Sequence, residues 1–252
     1  MNPADSAAPP RGMVVLPTYN ERENLPELVE AVLAASPALS ILVVDDASPD
    51  GTGELADRLV AQHPGRVAVL HRPKKLGLGS AYIDGFRAAL ERDVDLVFEM
   101  DADFSHSPRH LPELMDAIRN ADLVIGSRYV PGGGIRHWGL FRRLLSAGGN
   151  LYARWILGVA IRDLTSGFKC YRRSVVELLQ RGDIRSNGYA FQIETTYRTL
   201  LAGFRVHEVP IVFEDRHVGQ SKMSKAIFLE AVRMVPALRL RKRSLVSAEC
   251  MR

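Results

Sequence analysis

The sequence predicts an α/β protein built on a largely parallel β-sheet. Short runs of β-branched and apolar residues alternate with amphipathic stretches of helical length, which is the pattern of repeated β-α-β units. Polar and acidic residues follow directly after several of these apolar runs. The 252 residues, 46% hydrophobic and 25% charged, are enough to bury the core of one such domain.

The predicted elements follow one another in regular order. Six apolar runs are predicted as strands, at residues 13–16, 41–44, 67–70, 95–100, 123–125 and 206–213. Four amphipathic stretches between them are predicted as helices, at residues 23–35, 53–62, 80–91 and 108–120. The last of these begins with a capping serine followed by a proline in the first turn. No long linker or internal repeat interrupts this order, so residues 12–238 are predicted to form one domain.

The segments that follow the predicted strands carry most of the polar residues of interest. Right-handed crossovers bring the carboxyl ends of parallel strands to one edge of the sheet. We therefore expect four segments to converge there, at residues 17–21, 45–46, 101–103 and 126–128. Ligands of open α/β sheets bind at this edge, so the sequence predicts a binding site built from these segments.

Asp101 and Asp103 stand one residue apart at the end of an apolar run. Alternate positions of an extended chain point the same way, so the two carboxylates could hold Mg²⁺ or Mn²⁺ together with water and diphosphate oxygens. A single histidine makes a poor zinc site, so zinc is disfavoured, and we interpret His106 as a cap or supporting group. Such a pair could also be a solvated turn, but the second acidic strand end at residues 45–46 favours a built site.

The first two strand ends carry groups suited to a nucleotide. The ring of Tyr19 and the carboxylate of Glu21 could hold a base, although a helix-capping turn explains the same residues equally well. Asp45 and Asp46 lie directly against an apolar strand, where their desolvation is costly unless a base N–H or ribose hydroxyl donates to them. An Asx turn is the alternative for this loop.

Three cations are candidates for contacts with phosphate. Arg128 follows another strand, and its planar guanidinium suits a phosphate group. Residues 216–222 are basic, contain a glycine and lie between the last strand and a helix. Such a segment can close over a diphosphate, with Arg216 and Lys222 neutralising its charge, although an ordinary exposed loop has the same composition.

The two ends of the chain predict its cellular setting. Residues 1–11 are predicted to be a flexible leader, and they lack the apolar segment of a signal peptide, which predicts a cytoplasmic protein. Cys170 and Cys250 match no metal or redox spacing. The formal net charge is +4, and residues 239–252 are predicted to be a basic tail with apolar residues interleaved. This pattern favours an anionic lipid surface over nucleic acid, since no nucleic-acid-binding motif is present.

The polar segments together resemble glycosyltransferase family 2, and in particular the dolichol-phosphate (polyprenol-phosphate) mannose synthases. The resemblance runs from about residue 13 to about residue 233. Each segment is common among nucleotide-sugar transferases, but all of them in this order are highly specific. The segments are PTYNEREN (17–24), VDDASPDGT (44–52), DADFSH (101–106), GSRY (126–129), DLTSGF (163–168) and RHVGQSK (216–222).

The resemblance implies a GT-A-type fold, a mostly parallel twisted sheet with helices on both faces, and a set of site residues. Those implied to contact the nucleotide sugar are Pro17, Tyr19, Glu21, Val44, Asp46, Asp101, Ala102, Asp103, Arg128, Arg216 and Lys222. It places Asp101 and Asp103 at the metal, Mg²⁺ or Mn²⁺. Ser105 stands where some members carry a glutamine that approaches the metal, so the resemblance implies Ser105 as a third metal ligand.

The implied reaction is inverting transfer of mannose from GDP-mannose to a polyprenyl monophosphate. The acceptor is already anionic, so the catalytic groups would be Asp103 and three cations, Arg128, Arg216 and Lys222. The resemblance further implies a peripheral protein at the cytoplasmic face of a membrane. It would reach its lipid through a membrane-embedded partner, or through residues 140–161 and the basic tail.

The residues leave the base and the sugar open. UDP-glucose or another nucleotide sugar on a polyprenyl phosphate is the nearest alternative. A scaffold subunit that kept the fold, or a nucleic-acid binder, would belong to a different functional class. The first predicts that loss of Asp103 changes nothing, and the second predicts salt-sensitive duplex binding that survives loss of the acidic edge.

Overall fold

A computed structural model describes residues 10–184, 186–214 and 225–242. Most of the predicted leader, the predicted cations Arg216 and Lys222, and residues 243–252 of the basic tail lie outside the described residues. The predictions for these residues therefore stay predictions.

The strands form one large sheet and one small sheet. The strands are β1 Gly12–Thr18, β2 Leu39–Asp45, β3 Val67–His71, β4 Leu96–Glu99, β5 Leu123–Ser127, β6 Gly134–Ile135, β7 Lys169–Arg172, β8 Val206–Pro210 and β9 Val212–Phe213. The large sheet has the order β3-β2-β1-β4-β7-β5-β8, and β6 pairs with β9. All neighbours in the large sheet are parallel except β7, which runs antiparallel to both β4 and β5. The predicted mostly parallel sheet is confirmed.

Helices cover both faces of the large sheet. They are α1 Leu25–Ala35, α2 Thr52–Gln62, α3 Leu78–Leu90, α4 Leu111–Ala117, α5 Leu140–Leu157, α6 Arg173–Arg181, α7 Gly188–Leu201 and α8 Lys225–Leu240. Alternate residues of β1 separate two cores. Val14 and Leu16 pack with α1, α2 and α4, whereas Met13 and Val15 pack on the face covered by α3 and α5 to α8. The predicted helices on both faces are confirmed.

Two of the predicted elements are divided in the structure, and some elements of the structure were not predicted. The strand predicted at residues 206–213 is two strands that belong to different sheets. The helix predicted at residues 108–120 is α4 flanked by single 3₁₀ turns at Pro108–His110 and Ile118–Asn120. Helices α6 and α7 and strand β7 were not predicted. The sequence of β7 is Lys-Cys-Tyr-Arg, and a four-residue run with a cation at each end shows no recognisable alternation.

The antiparallel strand β7 changes what reaches the binding edge. Glu99 at the end of β4 pairs with Lys169 at the beginning of β7. The residues that lead into β7 therefore lie at the same edge as the carboxyl ends of β1, β2, β4 and β5. In the part of the chain described here, no helix has the length and apolar character needed to cross a membrane.

Candidate active site

A cavity of about 520 Å³ opens at the predicted edge of the sheet. Its wall includes most of the site residues that the sequence predicted. They are Pro17, Tyr19, Glu21, Asp46, Asp101, Ala102, Asp103, Ser105 and Arg128. Val44 does not line it, because its side chain is fully buried and faces helix α3 at Gly85. The strand ends of β1, β2, β4 and β5 thus converge as predicted.

The two carboxylates that follow β4 are held by defined partners. Asp101 Oδ1 accepts a hydrogen bond from the Tyr82 hydroxyl at 3.2 Å. Asp103 is buried, and its Oδ1 accepts from the backbone N–H of Ser105 at 3.1 Å. Phe104 between them has a φ of +61°, so the chain turns sharply there. This turn brings the Ser105 amide back to the Asp103 carboxylate.

His106 supports this turn from beneath. Its Nδ1 lies 3.1 Å from the backbone N–H of Asp101, which can only donate, so Nδ1 is the acceptor and the ring proton is on Nε2. The ring is buried and stacks on Phe168 with 5.1 Å between centroids. Burial lowers the pKa of His106, which keeps the imidazole neutral. The predicted supporting role of His106 agrees with this geometry.

The donor set suits a hard divalent cation. Asp101 and Asp103 both face the cavity, and their oxygens are the ligands that Mg²⁺ and Mn²⁺ prefer. Among the described residues, no group of three or more His, Cys, Asp or Glu side chains could hold a metal. Two carboxylates leave several positions for water and phosphate oxygens, which is how Mg²⁺ is commonly bound beside a nucleotide. The residues present therefore fit Mg²⁺ or Mn²⁺, and the Ser105 ligand stays a prediction.

The two carboxylates at the end of β2, Asp45 and Asp46, have hydrogen-bond and ion-pair partners within the protein. Asp45 accepts from the Thr18 hydroxyl at 2.9 Å and from the Ser48 hydroxyl at 2.6 Å. Asp46 forms a buried ion pair with Arg72 and still lines the cavity. These donors were predicted to come from a ligand, and Arg72 was not predicted as a partner of Asp46. The position of Arg72 directly after β3, at the same edge of the sheet, is the signal that could have identified it.

A cation also lies at the side of the cavity formed by the end of β1. Lys75 Nζ lies 3.7 Å from the centroid of the Tyr19 ring, and both residues line the cavity. This distance is typical of a cation–π contact. Lys75 was not among the predicted site residues.

Arg128 is buried against Asp163, which was not among the predicted site residues. Its Nε and Nη2 donate to the two carboxylate oxygens of Asp163 at 2.8 and 2.7 Å, and Nη2 also donates to Thr165. Burial lowers the pKa of Arg128, but the Asp163 carboxylate more than offsets this and raises it above the ordinary value. Arg128 is thus held rigidly at the cavity wall as a permanent cation.

We expect Asp163→Asn to lower the free energy of unfolding by about 3–5 kcal/mol, because it leaves the buried Arg128 without its counter-charge. Urea unfolding followed by circular dichroism measures this. Glu177→Gln is the matched control, because its pair with Arg173 is exposed and is worth at most about 1 kcal/mol. Equal losses in the two variants would contradict the structural role of the buried pair.

The far wall of the cavity comes from α5, α7 and the segments before them, which the sequence did not predict as site elements. The additional lining residues include Trp138, Arg142, Asn187, Gly188, Tyr189 and Gln192. Neither Trp138 nor Arg142 was among the predicted site residues. Trp138 is buried, and the Arg142 guanidinium lies 3.9 Å from its ring centroid.

A narrow apolar groove of about 60 Å³ adjoins the cavity. It lies between α5, α7 and α8 and is lined mainly by aliphatic and aromatic side chains. Four residues line both spaces: Trp138, Arg142, Thr165 and Tyr189. The polar cavity that contains the two carboxylates therefore continues directly into an apolar groove.

Comparisons with known proteins agree with this geometry. The family model described as glycosyl transferase family 2 matches residues 13–179. A protein of Mycolicibacterium smegmatis named polyprenol monophosphomannose synthase is 51% identical over 92% of this chain and 88% of its own length. A protein of Micrococcus luteus named undecaprenyl-phosphate mannosyltransferase is 50% identical over 88% of this chain and 91% of its own.

Solved structures share the architecture at low identity. Glucosyl-3-phosphoglycerate synthase of Mycobacterium tuberculosis, solved with Mn²⁺ and UDP-glucose, has a TM-score of 0.63 at 19% identity and matches 93% of this chain and 79% of that one. A mannosyltransferase of Pyrobaculum calidifontis, solved with GDP-mannose and Mn²⁺, has a TM-score of 0.57 at 16% identity and matches 96% and 74%. These likenesses confirm the predicted GT-A-type fold.

Proposed function

Because this chain belongs to glycosyltransferase family 2, as its sequence predicted, we propose that it transfers mannose from GDP-mannose to a polyprenyl monophosphate. The names of its relatives at 50 and 51% identity support mannose as the sugar and a polyprenyl phosphate as the acceptor. The observation that carries the proposal is the direct continuation of a carboxylate-lined cavity into an apolar groove. An acceptor with a phosphate at one end and a hydrocarbon chain behind it needs both.

The donor is proposed to lie at the ends of β1 and β2. Tyr19 and Glu21 line this part of the cavity with Asp46, and an aromatic face beside hydrogen-bond acceptors suits a nucleotide base and ribose. Lys75 adds a positive charge at the same side, where it can attract the diphosphate. Structural neighbours solved with GDP-mannose or with UDP-glucose support a nucleotide sugar as the donor.

Asp101 and Asp103 are proposed to hold Mg²⁺ or Mn²⁺, which when bound neutralises the negative charge of the departing diphosphate. Arg216 and Lys222, which lie outside the described residues, are proposed to add to this neutralisation. Arg128, rigidly held by Asp163, is proposed to face the acceptor phosphate and to keep it in line with the anomeric carbon.

The proposed chemistry needs no strong base. The acceptor monophosphate is anionic at neutral pH, so one of its oxygens can attack the anomeric carbon of mannose directly. The new carbon–oxygen bond forms on the face opposite the nucleotide, and the bond to the β-phosphate oxygen breaks with its electron pair leaving on GDP. Configuration at the anomeric carbon is inverted in such a single displacement.

The acceptor chain is proposed to leave the groove along helix α5. Five large apolar side chains of α5 are exposed: Leu140, Phe141, Leu144, Leu151 and Trp155. Their spacing at three, four and seven residues places them on one face of the helix. A face this apolar and exposed is typical of a protein that contacts a membrane surface. A membrane-embedded partner and location at the cytoplasmic face stay part of the proposal.

A transfer assay tests the proposal. The full chain is incubated with a polyprenyl phosphate and radioactive GDP-mannose or UDP-glucose, with Mn²⁺ or with EDTA. We expect a mannolipid that forms with GDP-mannose and Mn²⁺ and falls at least about 100-fold with EDTA, as expected for loss of transition-state charge stabilisation. A glucolipid from UDP-glucose without any mannolipid would replace the proposed donor by the nearest alternative.

A further inference from the structure

We propose that Tyr82 is a positioning residue that fixes the Asp101 carboxylate for the divalent cation. The inference rests on the proposed function, because Asp101 is a metal ligand only there. The Tyr82 hydroxyl donates to Asp101 Oδ1 at 3.2 Å from helix α3, an element that contributes no predicted metal ligand. This hydrogen bond orients one carboxylate oxygen of Asp101.

The packing of the Tyr82 ring fixes its orientation and so directs its hydroxyl towards Asp101. The ring is fully buried and stacks almost parallel on Phe191 at 5.9 Å between centroids, with Phe86 tilted against it at 6.1 Å. A tyrosine packed in this way has little rotamer freedom to lose when its hydroxyl binds. The hydrogen bond to Asp101 is therefore preorganised before any cation arrives.

Helix α3 can place Tyr82 there because a glycine lets the helix pack directly against the sheet. Gly85, three residues further along the helix, faces β1, and a Cβ at this position would lie 2.4 Å from Val15 Cγ1. Any side chain at residue 85 would push the helix outward. Residues three apart share one face of a helix. The close approach at Gly85 therefore also sets how far the Tyr82 hydroxyl lies from the sheet.

A second tyrosine, Tyr171, donates to a neighbouring acid and provides a comparison for Tyr82. Glu99 and Asp101 are two residues apart, and Glu99 Oε1 accepts from the Tyr171 hydroxyl at 2.9 Å. Each acid thus accepts a hydrogen bond from one tyrosine hydroxyl, but Glu99 is fully buried whereas the Asp101 side chain is 30% exposed and lines the cavity. Tyr171 therefore donates to the fully buried carboxylate of Glu99, whereas Tyr82 donates to the Asp101 carboxylate, which can reach a ligand in the cavity.

The backbone and the side chain of Asp101 are consequently held from opposite directions. His106 accepts from its amide, and Tyr82 donates to its carboxylate. Groups that orient a metal ligand typically contribute 10- to 100-fold to metal affinity. Tyr82→Phe removes one oxygen atom and keeps the packed ring, so it tests the hydrogen bond with little change in volume.

The test measures Mn²⁺ binding to the full chain with saturating GDP, by the electron paramagnetic resonance signal of free Mn²⁺. We expect Tyr82→Phe to weaken Mn²⁺ binding about 10-fold or more. Tyr171→Phe is the matched control, because it removes the same atom from the neighbouring acid, and its Mn²⁺ affinity should stay within two-fold of the unmodified chain. Tyr197→Phe is a second control, because its buried hydroxyl has no hydrogen-bond partner among the described residues.

A double-mutant cycle with Asp101→Ala separates positioning from damage to the fold. If Tyr82 acts through Asp101, Tyr82→Phe has no further effect on Mn²⁺ affinity in the Asp101→Ala background. Equal Mn²⁺ affinity in Tyr82→Phe and the unmodified chain, or an unchanged effect in the Asp101→Ala background, would overturn the proposal. Failure of the proposed reaction is recognised separately, as Mn²⁺ and GDP binding without any mannolipid in the transfer assay.

Discussion

Asp103→Ala is expected to lower mannosyl transfer by about 1,000-fold. Asp103 is the more buried of the two carboxylates that follow β4, and the Ser105 amide fixes its orientation. Loss of its negative charge would remove one of the two anionic protein ligands proposed for the cation. Charge that develops on the departing diphosphate would then lack a properly placed counter-charge, and such electrostatic stabilisation is usually the largest single contribution to catalysis.

The rate is measured by transfer from radioactive GDP-mannose at saturating Mn²⁺, beside circular dichroism to check the fold. Asp116→Ala is the matched control, because Asp116 lies on α4 and its side chain is 80% exposed, far from any predicted ligand. We expect its rate to equal that of the unmodified chain. A correctly folded Asp103→Ala protein with at least half of the activity would favour the scaffold hypothesis, which predicts that this acid is dispensable.

The parts of the fold that the sequence predicted correctly are those with a strong local hydrophobic pattern. Strands β1, β2 and β3 are apolar runs, and parallel pairing places their carboxyl ends at one edge without further information. Acids that follow such runs therefore converge by topology alone. The cavity at this edge contains Asp101 and Asp103 for that reason.

The parts that escaped prediction depend on long-range contacts. Strand β7 is recognisable only through its antiparallel partners on either side, β4 and β5. The segment that leads into β7 brings Asp163 to Arg128, 35 residues away in sequence, so the cation predicted to contact phosphate is half of a buried pair. Arg72 and Asp46 form a similar pair across 26 residues. A single sequence carries no local signal for such partners, since each residue alone has the composition of an exposed loop.

Replacing both Phe141 and Trp155 by serine is expected to weaken binding to vesicles of phosphatidylcholine and phosphatidylglycerol by about 100-fold or more. Both side chains are 79% exposed, and they lie on the apolar face of α5. Burial of one large apolar side chain contributes about 1.5–3 kcal/mol, so loss of two costs at least two factors of ten. Exposed cations near this face, Arg143 on α5 and Arg239 near the end of α8, add attraction to the anionic lipid.

Vesicle flotation measures the binding, and two acceptors separate it from catalysis. Transfer to a polyprenyl phosphate embedded in vesicles should fall with binding, whereas transfer to a short, water-soluble isoprenyl phosphate should be unchanged, because neither residue lines the cavity or the groove. Arg58→Ser is the control, because it alters an exposed residue of α2 on the opposite face of the sheet. Unchanged flotation of the double variant would remove α5 as the membrane contact, and a membrane-embedded partner would then have to deliver the acceptor to the groove.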